Sequence, residues 1–135
     1  MMSKYPKYVR HTTINHKKMN NMKQFIFLFK GGDELWDSKS EKEQEVHMQD
    51  WMQWIDGIAK KDQYLGGERL YPGGKTIHPG GIKVTDRPLT ETKELVGGYI
   101  IVKANTIEEA TEMAKGCPGL LWESSVEVRE VWPED

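Results

Sequence analysis

Two short runs limit what this chain can fold into. Residues 23–30 read KQFIFLFK, and residues 99–102 read YIIV. Side chains of a strand alternate between its two faces, so the first run sends Phe25, Phe27 and Phe29 one way and Ile26 and Leu28 the other. A strand that is apolar on both sides belongs in the middle of a sheet with something covering each face. Gly31, Gly32 and Asp33 end that run. A later segment, 126–132, alternates Val126 and Val128 against Glu127 and Arg129, which suits an edge.

Between the strands lie two helical patterns. Residues 40–61 start with Ser40 and Glu43, the spacing of a capping box, with Ser38 and Glu41 offering the same pattern two residues earlier. Trp51, Trp54, Ile55 and Ile58 follow i, i+3, i+4, i+7, the spacing of a buried stripe, and His47 lies on that stripe. The second pattern opens with Thr106 and Glu109 and runs to about Lys115, with Ile107, Ala110, Met113 and Ala114 expected inward. Gly116 and Pro118 stop it. A strand of mixed polarity, Tyr64 to Tyr71, is interrupted by Gly66 and Gly67. After it, KTIH and IKVT flank the turn Pro79, Gly80, Gly81 and read as a β-hairpin.

With the hairpin set aside as an insertion, the order is strand, helix, strand, strand, helix, strand. Such a βαββαβ chain folds as an α+β, ferredoxin-like sandwich with both helices on one face of a four-stranded antiparallel sheet. Its first and third strands are central, which agrees with the two doubly apolar runs. Two helices cover one face only. The other face is then an apolar patch, and packing against a second copy gives a homodimer.

Composition narrows the function classes. A chain of 135 residues, 37% hydrophobic and 30% charged, is one globular domain. Residues 1–23 hold six basic side chains and no acid; the remainder holds 13 basic and 21 acidic residues. An acidic body argues against nucleic acid as partner, because phosphate binding needs clustered Lys and Arg. Residues 1–21 lack any period and read as a flexible basic tail, or else as a basic arm, before a folded domain at 22–135. A single cysteine, Cys117, forms no intramolecular disulfide and points to a reducing compartment. No apolar run reaches the roughly 18–20 residues of a membrane span, and the first residues lack the apolar centre of a secretory signal. The expected location is the cytoplasm.

Several segments taken together resemble the YCII-related family, in its DGPF-domain branch. They are the first strand, GGERL at 66–70, the hairpin, TDRPLTETKELVGGYIIV at 85–102, TIEEATEMAKGCPG at 106–119 and SVEVREVW at 125–132. The resemblance spans about residues 22–132 and is most specific from Val84 to Val102. It implies a dimeric α/β barrel built from ferredoxin-like subunits, with a polar cavity between sheet and helices. It also implies an enzyme-like role in which a His and Asp pair moves protons. Asp86 and Pro88 stand where the family has Asp and Pro. Arg87 replaces its Gly and Leu89 its Phe, which sets a cation beside Asp86.

The candidate residues follow. His47 titrates near neutral pH and can exchange protons if a carboxylate orients its ring; otherwise it is a core histidine bonded to a carbonyl. Asp86 is the catalytic partner for it, or a turn-forming residue before Pro88; Asp62 is a weaker one. Thr90, Glu91 and Lys93 line a pocket for a small polar ligand or belong to a solvated loop. Arg69 and Arg87 carry forked donors suited to a carboxylate or phosphate, or make surface ion pairs. Trp51 and Trp54 form core or cavity wall, and Cys117 is an idle buried thiol. No metal is expected, since the histidines are scattered and lack ligand spacing. No cofactor is expected either; Gly97 and Gly98 precede a strand, unlike a dinucleotide fingerprint. Three functions fit: a small-molecule enzyme using His47 and Asp86, a non-catalytic ligand-binding or sensing module, and a cofactor-free monooxygenase-like protein.

Overall fold

The computed structural model describes residues 22–87 and 94–133. In chain order the elements are β1 (Lys23–Lys30), α1 (Asp33–Asp37), α2 (Glu41–Lys60), β2 (Tyr64–Arg69), β3 (Lys75–Ile77), β4 (Val84–Asp86), β5 (Val96–Ala104), α3 (Ile107–Ala114), a 3-10 turn (Pro118–Trp122) and β6 (Ser125–Glu130). Strands β2, β5, β1 and β6 form one antiparallel sheet in that order. The fold is α+β, and its strand order is that of a ferredoxin-like sandwich. The sheet stays open, with β2 and β6 as edges. β3 and β4 pair separately as the expected hairpin, Lys75 opposite Asp86 and Ile77 opposite Val84.

The alternation in KQFIFLFK decides which face is core. Phe25 and Phe27 are fully buried and Phe29 nearly so, opposite Val102, Ile100 and Gly98 on β5. α2 and α3 lie on this face. Trp54 stacks on Phe27 with centroids 6.3 Å apart, Trp51 meets Phe29 edge-on at 4.8 Å, and Ala110 and Ala114 of α3 complete the cluster. Each buried aromatic contributes about 2–3 kcal/mol through lost apolar surface. Trp54 Nε1 donates to the Met113 carbonyl at 3.1 Å and ties the two helices together. Buried Gln63 donates to the Lys103 carbonyl at 2.9 Å and to Glu109 Oε2 at 3.1 Å.

The helix starts follow the side-chain signals. Ser40 caps α2 by a complete capping box, accepting from the Glu43 amide at 3.1 Å while Glu43 accepts from the Ser40 amide at 3.0 Å. The rival Ser38 instead donates to the Leu35 carbonyl at the end of α1. Thr106 accepts from the Glu109 amide, and the Glu109 carboxylate reaches past it to the Asn105 amide at 2.8 Å.

Four expectations are corrected. Asp33 opens the helix α1 rather than only ending a strand. β2 stops at Arg69 and carries a bulge between Tyr64 and Gly66, where Gly66 has φ 133°. Ile107, expected inward, is 43% exposed because it sits in the first turn of α3, before that helix meets the sheet. Asp86, outside the expected hairpin run IKVT, ends the hairpin strand β4. The open face of the sheet presents Ile26, Leu28, Tyr99 and Ile101, all half-buried. Lys30 bridges Glu127 at 2.8 Å and Glu94 at 3.8 Å beside them. Among the described residues no helix is long and apolar enough to cross a membrane.

Candidate functional site

A cavity of about 280 Å³ lies on the helix side of the sheet, where the end of β1, the start of β5 and the edge strand β2 pass under α1 and α2. Its floor is low because glycines supply it. A Cβ on Gly67 would collide with the Tyr99 carbonyl oxygen and the Ile100 side chain, and one on Gly98 would sit 3.0 Å from the Glu68 carbonyl oxygen. The strands approach closely only while those positions stay bare. A Cβ on Gly32, at φ 89°, would meet Ser124 Oγ, so the turn from β1 to α1 also depends on glycine.

The walls are aromatic. Trp51 and Phe29 close one side; Trp36 of α1 and Trp122 of the 3-10 turn form the other, their rings 6.0 Å apart. The His47 ring lies parallel to Trp122, tilted 5°, with centroids 3.8 Å apart. His47 is 7% exposed. Its side-chain hydrogen bond among the described residues comes from Trp51 Nε1, which donates to Nε2 at 3.1 Å one helical turn away. An indole N–H only donates, so Nε2 carries no proton and the neutral ring holds its hydrogen on Nδ1. Burial pulls the imidazole pKa below its ordinary value, although Asp50 pulls the other way. The site therefore presents a neutral histidine whose Nδ1–H has no protein acceptor among the described residues.

The candidate residues separate in space. His47 and Arg69 line the cavity. Arg69 projects from the end of β2, its guanidinium 5.5 Å from the Trp36 ring centre. Asp86 does not join them. It is ion-paired to Lys75 across the hairpin, with both side chains mostly in water. Arg87 follows it, lies against Gly74 and donates its amide to the Gly74 carbonyl at 3.0 Å. Asp62, at φ 60°, is exposed and 3.7 Å from Lys103. Thr90, Glu91 and Lys93 lie outside the described residues. Burial pushes the Cys117 thiol up to about 11, which keeps it un-ionised and inert. Among the described residues no group of three or more His, Cys, Asp or Glu side chains could hold a metal ion.

Sequence reasoning missed Trp36, Trp122 and Asp33, all of which line the cavity. Trp36 falls in a five-residue helix and Trp122 in a 3-10 turn. Neither element is long enough to show a period. The available signal was only the presence of large aromatics in segments that otherwise read as turns.

The pattern of the YCII-related domain family matches residues 25–135. Among curated proteins no similar sequence is found.

Proposed function

The chain belongs to the YCII-related family, and on that premise we propose that its cavity binds a small organic molecule and that His47 polarises an oxygen of it. One observation carries this reading: a buried imidazole at the cavity wall whose Nε2 is engaged by Trp51 and whose Nδ1–H lacks a protein acceptor among the described residues. A buried donor without a partner is costly, and a ligand oxygen satisfies it. Because the ring is held neutral, it serves as an electrophilic hydrogen-bond donor more readily than as a base. Proton transfer of the expected His and Asp type needs a carboxylate within reach. Asp86 is on the hairpin, and Asp33 at the cavity edge is the acid better placed to supply one.

The bond from Trp51 also favours the second reading, a binding or sensing module without turnover, since it occupies the lone pair a general base would use. Thermal-shift screening of small metabolites on wild type and His47→Ala tests the shared part. A true ligand raises the wild-type Tm and not that of the variant; equal shifts in both remove His47 from the site. NMR of the ligand incubated with the protein then separates turnover from binding.

The same reading includes a homodimer. The half-buried apolar face of Ile26, Leu28, Tyr99 and Ile101 supports the dimeric barrel expected of the family, in which a second copy covers it. Light scattering at micromolar concentration tests it: a monomer mass would rule the dimer out.

A further inference from the structure

Resting on the pocket reading above, we propose that the ligand is a small, flat, conjugated carboxylate, with its ring between the aromatic walls and its charge at Arg69. The cavity volume of about 280 Å³ is at the low end for organic ligands, so it holds a single ring system rather than a drug-sized molecule. Flat walls select flat occupants. The His47 and Trp122 rings lie parallel, and Phe29 and Trp51, set edge to face, close the other side.

Charge selects the sign. An aromatic-walled pocket invites a cation as its first reading, since ring faces attract positive charge. Here the Trp36 face already holds a protein cation, the Arg69 guanidinium. A cationic ligand would be repelled by it. Arg69 has no carboxylate partner among the described residues, whereas Lys30, Lys75, Lys103 and Arg129 each have one. Its forked donors suit a carboxylate. Two acids also border the cavity. Glu68 pairs opposite Tyr99, so alternation turns its side chain to the open face of the sheet. Asp33, exposed at the start of α1, restricts the ligand carboxylate to the Arg69 side. His47 Nδ1–H supplies the second donor.

Four probes of similar size test this with the full-length protein: benzoate, benzamide, benzylammonium and cyclohexanecarboxylate. Binding is read from tryptophan fluorescence and from the indole N–H signals in NMR. Benzoate should bind about tenfold or more tightly than benzamide and benzylammonium, the scale of a charged hydrogen bond, and more tightly than cyclohexanecarboxylate, which carries the same charge on a puckered ring. Arg69→Gln should abolish the preference for benzoate over benzamide, and Arg69→Lys should restore part of it. Unchanged Tm values for both variants show that the fold is intact. Benzamide, benzylammonium or cyclohexanecarboxylate binding as tightly as benzoate, with loss in His47→Gln, overturns the flat-anion inference and leaves the pocket reading standing. Binding of none of the four overturns both.

Discussion

The cavity around His47 and the hairpin around Asp86 carry similar groups in opposite surroundings. Each has a histidine, a carboxylate and a cation. In the hairpin, Lys75 and Asp86 pair in water, and His78 Nε2 lies 2.9 Å from Thr85 Oγ1 across the same two strands. In the cavity, His47 is walled by three tryptophans, and no carboxylate pairs with Arg69 among the described residues. The lesson is about water. Solvated polar groups satisfy one another cheaply and do little chemistry. His47, buried against aromatic walls, keeps an unspent donor among the described residues, and its interaction with a ligand is strengthened by the low local dielectric.

Four experiments press on that contrast. The largest effect should come from the cavity wall itself. Phe29→Ala removes a nearly buried ring that meets Trp51 edge-on, and should cost about 3–5 kcal/mol in urea unfolding. Ile82→Ala, 91% exposed beside the hairpin turn, should change stability by less than about 0.5 kcal/mol. Comparable losses at both positions would mean that the hairpin packs on something as firmly as the cavity does.

Next comes pH. Because burial lowers the His47 pKa, the unfolded chain takes up its proton first as the solution is acidified. The contribution is therefore intact above the ordinary value of 6.5 and is lost as pH falls through 6.5, until the folded ring also protonates. Within that window the slope reaches at most about 1.4 kcal/mol per pH unit. His47→Gln, whose amide oxygen can still accept from Trp51, should flatten this dependence. An unaltered profile of urea midpoints would show that the ring is already solvated.

Smaller effects follow. Ser40→Ala removes the hydroxyl that caps α2, the helix that carries His47 and Trp51, and should cost about 1 kcal/mol by thermal or chemical denaturation. Asp86→Asn breaks only a solvated ion pair. It should cost less than about 1 kcal/mol and leave ligand affinity unchanged in a titration. A tenfold loss of affinity on Asp86→Asn would collapse the contrast and restore Asp86 to the site.

Much of the fold was legible because it follows from periods. The doubly apolar β1 and β5 are the two central strands, the partly polar β2 and β6 are the edges, and the stripe from His47 through Ile58 faces the sheet. Half of the site was legible for the same reason. His47 was found by its place on a buried stripe, and Arg69 by its donor geometry. Asp86 enters as a candidate through the family resemblance, since it stands where the family has its Asp. The hairpin takes it away, since pairing with Lys75 fixes its direction and no local pattern reports where a hairpin leans.

What the sequence determined alone is what short-range sterics and burial dictate: strand alternation, helix caps, the glycine turns and the family. The tertiary structure decided which groups share a space. Trp36, Trp122 and His47 lie in three different elements, and they meet only because β1 and β6 are neighbours that bring the turn before each strand, or after it, to one end of the sheet. Arg69 reaches Trp36 from the opposite edge, across a floor kept bare by Gly67 and Gly98. Long-range packing carries no sequence period of its own, and so the state of His47, neutral and bonded through Nε2, could be read only once its neighbours were in place.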